Sequence, residues 1–270
     1  MDTGAGRGRG GAGGAGREPR EGWERWLPGE GWEAVAPGVF RRRLPGWDET
    51  VGLVASPGGL LLVDAGPSRE AAGAWGAGLP PGGVTRLVVT HPHFDHLLGA
   101  GAFPAAEAWG PAGLAAFLAA PGAADPAADG ARHGLHPAAA AADLAAARER
   151  PWRAPSPGRG SRAVLDLGGG RAAVLADLGP AHSALDLAVL VPGTPPVVFC
   201  GDLVEESGEP QAGPDASPER WPAALDALLA LGGPEARYVP GHGAVVGAAF
   251  VRAQREELAG RFGVPPRPGP

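Results

Sequence analysis

Lysine is absent from the 270-residue chain, so all 23 of its basic residues are arginine, set against 29 acidic ones for a net charge of −6. That balance excludes a general electrostatic footprint for nucleic acid. A small anionic substrate stays compatible with it, because bound metal ions would invert the local field. The missing lysine, with abundant Ala, Gly, Pro and Arg, reads as codon bias in a GC-rich genome rather than as function. Cysteine occurs once, at Cys200, which excludes an intramolecular disulfide and a cysteine-rich metal cluster. Tyrosine also occurs once, at Tyr238, where a strand pattern suits a structural role. No apolar run approaches the ~20 residues of a membrane span. The opening stretch MDTGAGRGRGGAGG lacks the apolar segment of a secretory signal, so the expected location is cytoplasmic. The serine-nucleophile motif G-x-S-x-G is missing as well, and no local motif suggests a Ser/His/Asp triad.

What remains reads as a Gly/Arg-rich tail over residues 1–20, with too little apolar surface to fold, followed by one domain over 21–270. Apolar and alternating runs predict strands at 38–44, 51–55, 59–64, 85–90, 162–167, 171–176, 187–191, 196–200 and 236–239. A Pro-Gly-Gly turn makes a hairpin of the second and third. Helices are expected at 67–78, 111–120, 137–149, 221–231 and 247–261, with Ser217 and Pro218 in N-cap and N1 character before the fourth. An Ala/Pro-rich helical insertion occupies about 121–160. Strand-rich halves with interspersed helices suit an α/β sandwich.

Three of the seven histidines fall within six residues, in Thr90-His91-Pro92-His93-Phe94-Asp95-His96, directly after an apolar strand. A strand that gives way to a loop can converge side chains on one point, and imidazole with carboxylate suits zinc. His182, Asp202 and His242 each lie where a predicted strand becomes a loop, next to or near a glycine that lets the backbone turn tightly. A lone residue of this kind is more often a cap or turn residue. The repetition of one arrangement argues for a shared metal site. His133 and His136, in the Ala-rich segment, read as surface residues, with a lid as the alternative. Trp109, Trp152 and Trp221 either pack or line an entrance.

The series His-x-His-x-Asp-His, a distant His, Gly-Asp and Gly-His-Gly, together with Leu61-Leu-Val-Asp-Ala-Gly66, resembles the metallo-β-lactamase superfamily over roughly residues 35–260. The resemblance implies an αββα sandwich, two mixed β-sheets face to face with helices outside and the site at one edge. It implies that His91, His93 and His182 bind one metal, that Asp95, His96 and His242 bind a second, and that Asp202 bridges them. Asp64 would fix the histidine loop without binding metal. Asp186 would either do the same or simply open the next strand. The third motif departs from the family's Gly-His-Thr, reading Pro180-Ala181-His182-Ser183, in which serine keeps the hydroxyl.

The implied cofactor is two Zn²⁺ ions, with Fe or Mn as alternatives. The candidate catalytic residues are Asp95, His96 and Asp202, with Asp95 orienting a bridging hydroxide. The implied activity is hydrolysis of an ester, lactone, thioester or related bond in a small molecule. The ligand set is like that of glyoxalase II, but only 28 residues follow His242, too few for that enzyme's C-terminal helical domain. True β-lactamases of the superfamily generally lack the bridging aspartate. An iron-dependent oxidoreductase of the same fold and a non-catalytic metal-binding protein are the alternatives. The expected partner is a small molecule, with neither nucleic acid nor membrane; oligomeric state is left open.

Overall fold

Leu60, Leu61, Leu62 and Val63 form an unbroken apolar run, and a strand made of such a run must bury both faces. It does so as β4 (Gly59–Val63), all of whose residues are buried. Leu60 and Leu62 join one hydrophobic cluster and Leu61 and Val63 another. The same alternation recurs in the neighbouring strands and defines the layers of the molecule. The computed structural model describes Met1 and residues 29–80, 83–158 and 160–265. Apart from Met1, the Gly/Arg-rich stretch 1–20 lies outside the described residues.

The first sheet contains β1 (Glu33–Ala36), β2 (Val39–Arg43), β3 (Thr50–Ser56), β4, β5 (Val84–Val88) and β6 (Glu107–Trp109), in that spatial order. Its pairings are antiparallel from β1 to β4 and parallel from β4 to β6. The second sheet contains β7 (Arg162–Gly168), β8 (Arg171–Asp177), β9 (Leu187–Val191), β10 (Val197–Phe199), β11 (Arg237–Val239) and β12 (Val246–Gly247), and runs spatially from β12 back to β7. Only its β10–β11 pair is parallel. Both sheets are therefore mixed, as expected.

Three apolar cores stack through the molecule. The middle one lies between the sheets and joins Val54, Leu61, Val63 and Val88 of the first to Leu175, Val189, Phe199 and Val239 of the second. Gly52 makes room there: a Cβ at that position would stand 2.3 Å from the Phe199 ring. Overpacking of this kind costs about 1–3 kcal/mol. One outer core packs the other face of the first sheet against α1 (Arg69–Gly76), α2 (Phe94–Leu97), α3 (Leu114–Ala119), α4 (Pro126–Arg132) and α5 (Pro137–Arg148). The other packs the second sheet against α6 (Trp221–Gly232) and α7 (Ala248–Arg261). The result is the αββα sandwich. No helix among the described residues is long and apolar enough to cross a membrane.

Local signals explain much of this. Ser68 caps α1, accepting from the Ala71 amide at 3.1 Å. The β3–β4 hairpin closes through Ser56, whose hydroxyl donates to the Gly59 carbonyl at 2.7 Å. Cys200 and Tyr238 are buried in the second sheet's outer core, and the Tyr238 hydroxyl donates to the Gly233 carbonyl at 2.8 Å. Trp221 is fully buried, its indole donating to the Leu203 carbonyl at 3.0 Å, so it packs rather than lines an entrance.

Other details differ from the sequence reading. Ser217 does not cap α6: a short 3₁₀ turn, Pro218–Arg220, intervenes, and Ser217 makes no side-chain capping bond. Strands β1, β6 and β12 were not expected, being two to four residues long. Within 121–160, α4 accompanies the expected helix α5; its sequence, PAADGAR, has no apolar stripe, and Asp125 nucleates it by accepting from the Ala127 and Ala128 amides.

Candidate metal centre

Each chemistry-bearing side chain comes from a loop that leaves a strand at one edge of the sandwich. Asp64 follows β4, and the segment His91–His96 follows β5. His182 follows β8, Asp202 follows β10 and His242 follows β11. The two sheets are stitched at this edge by the Leu187 amide, which donates to the Thr90 carbonyl at 2.8 Å.

The seven expected ligands are all brought together. One donor atom each from His91, His93, His182 and Asp202 lie within 4.8 Å of one another, and so do those of Asp95, His96 and His242. Asp202 is near both halves. Its Oδ2 lies 3.7 Å from His91 Nε2 and 3.4 Å from His182 Nε2, and also 3.4 Å from His242 Nε2. Its Oδ1 lies 3.1 Å from His96 Nε2. Gly241 permits this placement, since a Cβ there would stand 1.8 Å from Asp202 Oδ1.

The outward-facing nitrogens show how the rings are prepared. His96 Nδ1 faces Asp64 Oδ2 at 3.0 Å and His242 Nδ1 faces the Trp47 carbonyl at 2.8 Å. Neither oxygen can donate, so each of these Nδ1 atoms carries a proton. The Thr90 hydroxyl donates to Asp64 at 2.9 Å and is left to accept from His91 Nδ1 at 3.0 Å. His93 Nε2 donates to Asp215 Oδ1 at 3.3 Å. In four rings, then, the proton is pinned outward, which frees the inward nitrogen as a lone-pair donor. His91 Nε2, His96 Nε2 and Asp202 Oδ1 are buried without a hydrogen-bond partner. Such orphaned atoms converging on one point call for a cation.

The electrostatics agree. Burial alone would favour a neutral Asp202, but the surrounding imidazoles, His96 and His242 foremost, hold its carboxyl well below the usual range. Burial likewise opposes charge on His96 and His242, yet Asp202 and Asp95 raise both in the metal-free chain. His182 is driven down to about 4, chiefly by burial, and burial also lowers His91. His93, in the same half, is opposed by burial but raised by Asp215, so an ion entering either half displaces protons and its affinity rises with pH. The His182 Nε2 and His93 Nδ1 atoms face each other at 3.0 Å, a contact that requires a shared proton when no metal is present.

Asp64 holds the histidine loop as expected, accepting also from the Thr90 amide at 2.7 Å, with its own backbone in the left-handed region at φ 60°. Of the two roles left open for it, Asp186 takes the clamping one. It stands immediately before β9, and it accepts from the Ala181 amide at 2.8 Å and the Ser183 amide at 3.1 Å, clamping the turn that carries His182. The Ser183 hydroxyl adds a third bond to Asp186 at 3.0 Å, so serine does supply the clasp in this motif.

A cavity of about 320 Å³ opens over His93, Asp95, His182 and Asp202. His133 stands on its rim, exposed and stacked on Phe94 with ring centroids 5.1 Å apart, whereas His136 is exposed at the start of α5. Sequence reasoning missed three carboxylates here. Asp215 holds His93 and also accepts from the Ala184 amide at 3.2 Å. Glu49 and Glu205 flank His242, and burial pushes each up to about 7. The only signal for Glu205 was its position three residues after Asp202. Removing the Asp215 carboxylate, as in Asp215→Ala, should weaken the ion held by His93 by about 10–100-fold with the fold retained. Competition with a chromophoric chelator measures this, and an unchanged affinity would show that His93 needs no such orientation.

A model of the metallo-beta-lactamase superfamily matches residues 44–242, which spans this whole constellation, and the chain belongs to that superfamily. Among solved structures, the metallo-β-lactamase FIM-1 from Pseudomonas aeruginosa in its mono-zinc form is similar over 87% of this chain and 96% of its own, with 19% identity and a TM-score of 0.59. DIM-1 metallo-β-lactamase is similar over 85% of this chain and 97% of its own, at 15% identity and a TM-score of 0.62. For a metallo-β-lactamase from Pontibacter korlensis the figures are 84%, 97%, 18% and 0.60. At such identities the likeness establishes the fold alone. No curated protein matches the sequence.

Proposed function

We propose that this chain is a metal-dependent hydrolase in which His91, His93 and His182 hold one zinc ion, Asp95, His96 and His242 hold a second, and Asp202 bridges them. The observation that carries the reading is the Asp202 carboxylate, which reaches imidazoles of both halves at 3.1–3.7 Å. When bound, two such ions would lower the pKa of a water between them and polarise a substrate oxygen. The chain's own groups do the rest. Asp95 Oδ2, 3.3 Å from His242 Nε2 and 3.6 Å from His96 Nε2, stays ionised beside them and can orient the attacking water as an acceptor. Asp64, Asp215 and the Trp47 carbonyl keep the rings in the tautomers that binding requires.

A cavity of about 320 Å³ is at the lower end of the range for small-molecule sites, which supports an ester, lactone or thioester of modest size as the substrate. The test is a panel of these substrates with a β-lactam and a phosphodiester, run in parallel on zinc-loaded and metal-stripped protein. Turnover of one substrate class by the loaded form alone is expected. Stoichiometric iron in protein purified without added metal, with oxygen consumption and no hydrolysis, would instead establish an oxidoreductase. Full metal loading without any turnover would leave a binding protein.

A further inference from the structure

The backbone of His242 is flanked on both sides by glutamate. It forms an isolated antiparallel bridge with Glu49 and a parallel bridge with Glu205. Residues paired across such a ladder project to the same face. Both glutamates therefore leave the backbone on the side where the His242 imidazole meets Asp95 and Asp202. A carboxylate oxygen of Glu205 lies within 4.8 Å of donor atoms of both His242 and Asp202. Glu49 is fully buried, and neither of its carboxylate oxygens finds a hydrogen-bond partner outside its own residue. The cations and amides nearby are already engaged. Arg41 donates to Glu33 and to the Gly243 carbonyl, Arg43 pairs with Asp48, and the Gln254 amide serves the Leu203 carbonyl. A buried carboxylate without a partner is costly, and each orphaned group of this kind needs an explanation such as an ion or water.

The two halves of the centre are chemically unequal. The half at His91, His93 and His182 offers three imidazoles and one shared carboxylate. Around His242, Asp95 and His96 form one group with it and Asp202 and Glu205 form another, with Glu49 bridged to its backbone. Carboxylate oxygen and imidazole both suit a divalent ion there. We infer that Glu205 is an additional ligand of the second ion and that Glu49 accepts a hydrogen bond from a water on that ion. The inference rests on the two-metal reading above.

The experiment equilibrates metal-free full-length protein with Zn²⁺ and measures bound metal by elemental analysis and stepwise chelator competition, in the wild type and in Glu205→Gln. The wild type should hold two ions. E205Q should keep the ion at His91, His93 and His182 and bind the second about 10-fold or more weakly. A crystal structure of the zinc-loaded wild type provides a readout independent of how the variant folds. It should place a Glu205 oxygen ~2.0–2.2 Å from the second ion. Two wild-type ions with Glu205 beyond bonding distance, or undiminished binding of the second ion by folded E205Q, would each overturn this inference and leave the two-metal reading intact. A wild type that binds a single ion would overturn both.

Discussion

Substituting alanine for Asp202 should strip one or both metals from the protein and lower hydrolytic kcat/KM by about three orders of magnitude or more, with the fold retained. Among the described residues, Asp202 is the only carboxylate paired with imidazoles of both halves, so its loss disconnects them. Its loss leaves His91, His96, His182 and His242 facing one another around a gap, with Asp95 and Glu205 the remaining carboxylates among the proposed ligands. Among the described residues, Asp202 pairs with imidazoles rather than with the backbone, and its Oδ1 has no hydrogen-bond partner, which is why the sandwich should survive its removal. Elemental analysis and turnover on the same preparation check the expectation, with circular dichroism as the control for folding. Wild-type metal content and activity in this variant would refute the bridging role.

The parts of this centre legible in the sequence were those written locally. His91, His93, Asp95 and His96 share one loop, and His182, Asp202 and His242 each follow a recognisable apolar strand with glycine close by. The long strands were legible for a related reason: β3, β4 and β9 carry nearly continuous apolar runs because both of their faces are buried. What escaped was set by contacts distant in sequence. Glu49 meets His242 across 193 residues, through a bridge that no local periodicity announces. Asp215 sits in a polar turn before α6 and gains its role only when that turn folds back onto His93. Strand β6, of three residues, exists because β5 and the backbone of Arg153 lie on its two sides. The fold class rests on patterns of many residues, whereas the tuning of the site rests on single side chains placed by the finished fold.

Asp64→Asn should separate the geometry of the centre from its proton arrangement. The left-handed backbone at this position, φ 60°, is one that asparagine tolerates well, and the two side chains have the same shape. The carboxylate accepts three hydrogen bonds, from the Thr90 amide, the Thr90 hydroxyl and His96 Nδ1. An amide has a single acceptor oxygen. If that oxygen keeps the Thr90 amide, its NH₂ group is turned towards Thr90 Oγ1 and His96 Nδ1. The threonine hydroxyl can rotate and accept instead. His96 can satisfy the new donor only by moving its proton from Nδ1 to Nε2, and Nε2 is the atom that faces Asp202 and the second metal position. The variant should therefore lose stability by about 1–3 kcal/mol in the metal-free state and bind the second ion about 10–100-fold more weakly. The ion held by His91, His93 and His182 should be affected much less. Thermal melts of the metal-free protein and stepwise chelator competition report the two effects separately. A folded D64N protein that binds its second ion as tightly as the wild type would mean that Asp64 holds the loop in place without setting the His96 tautomer.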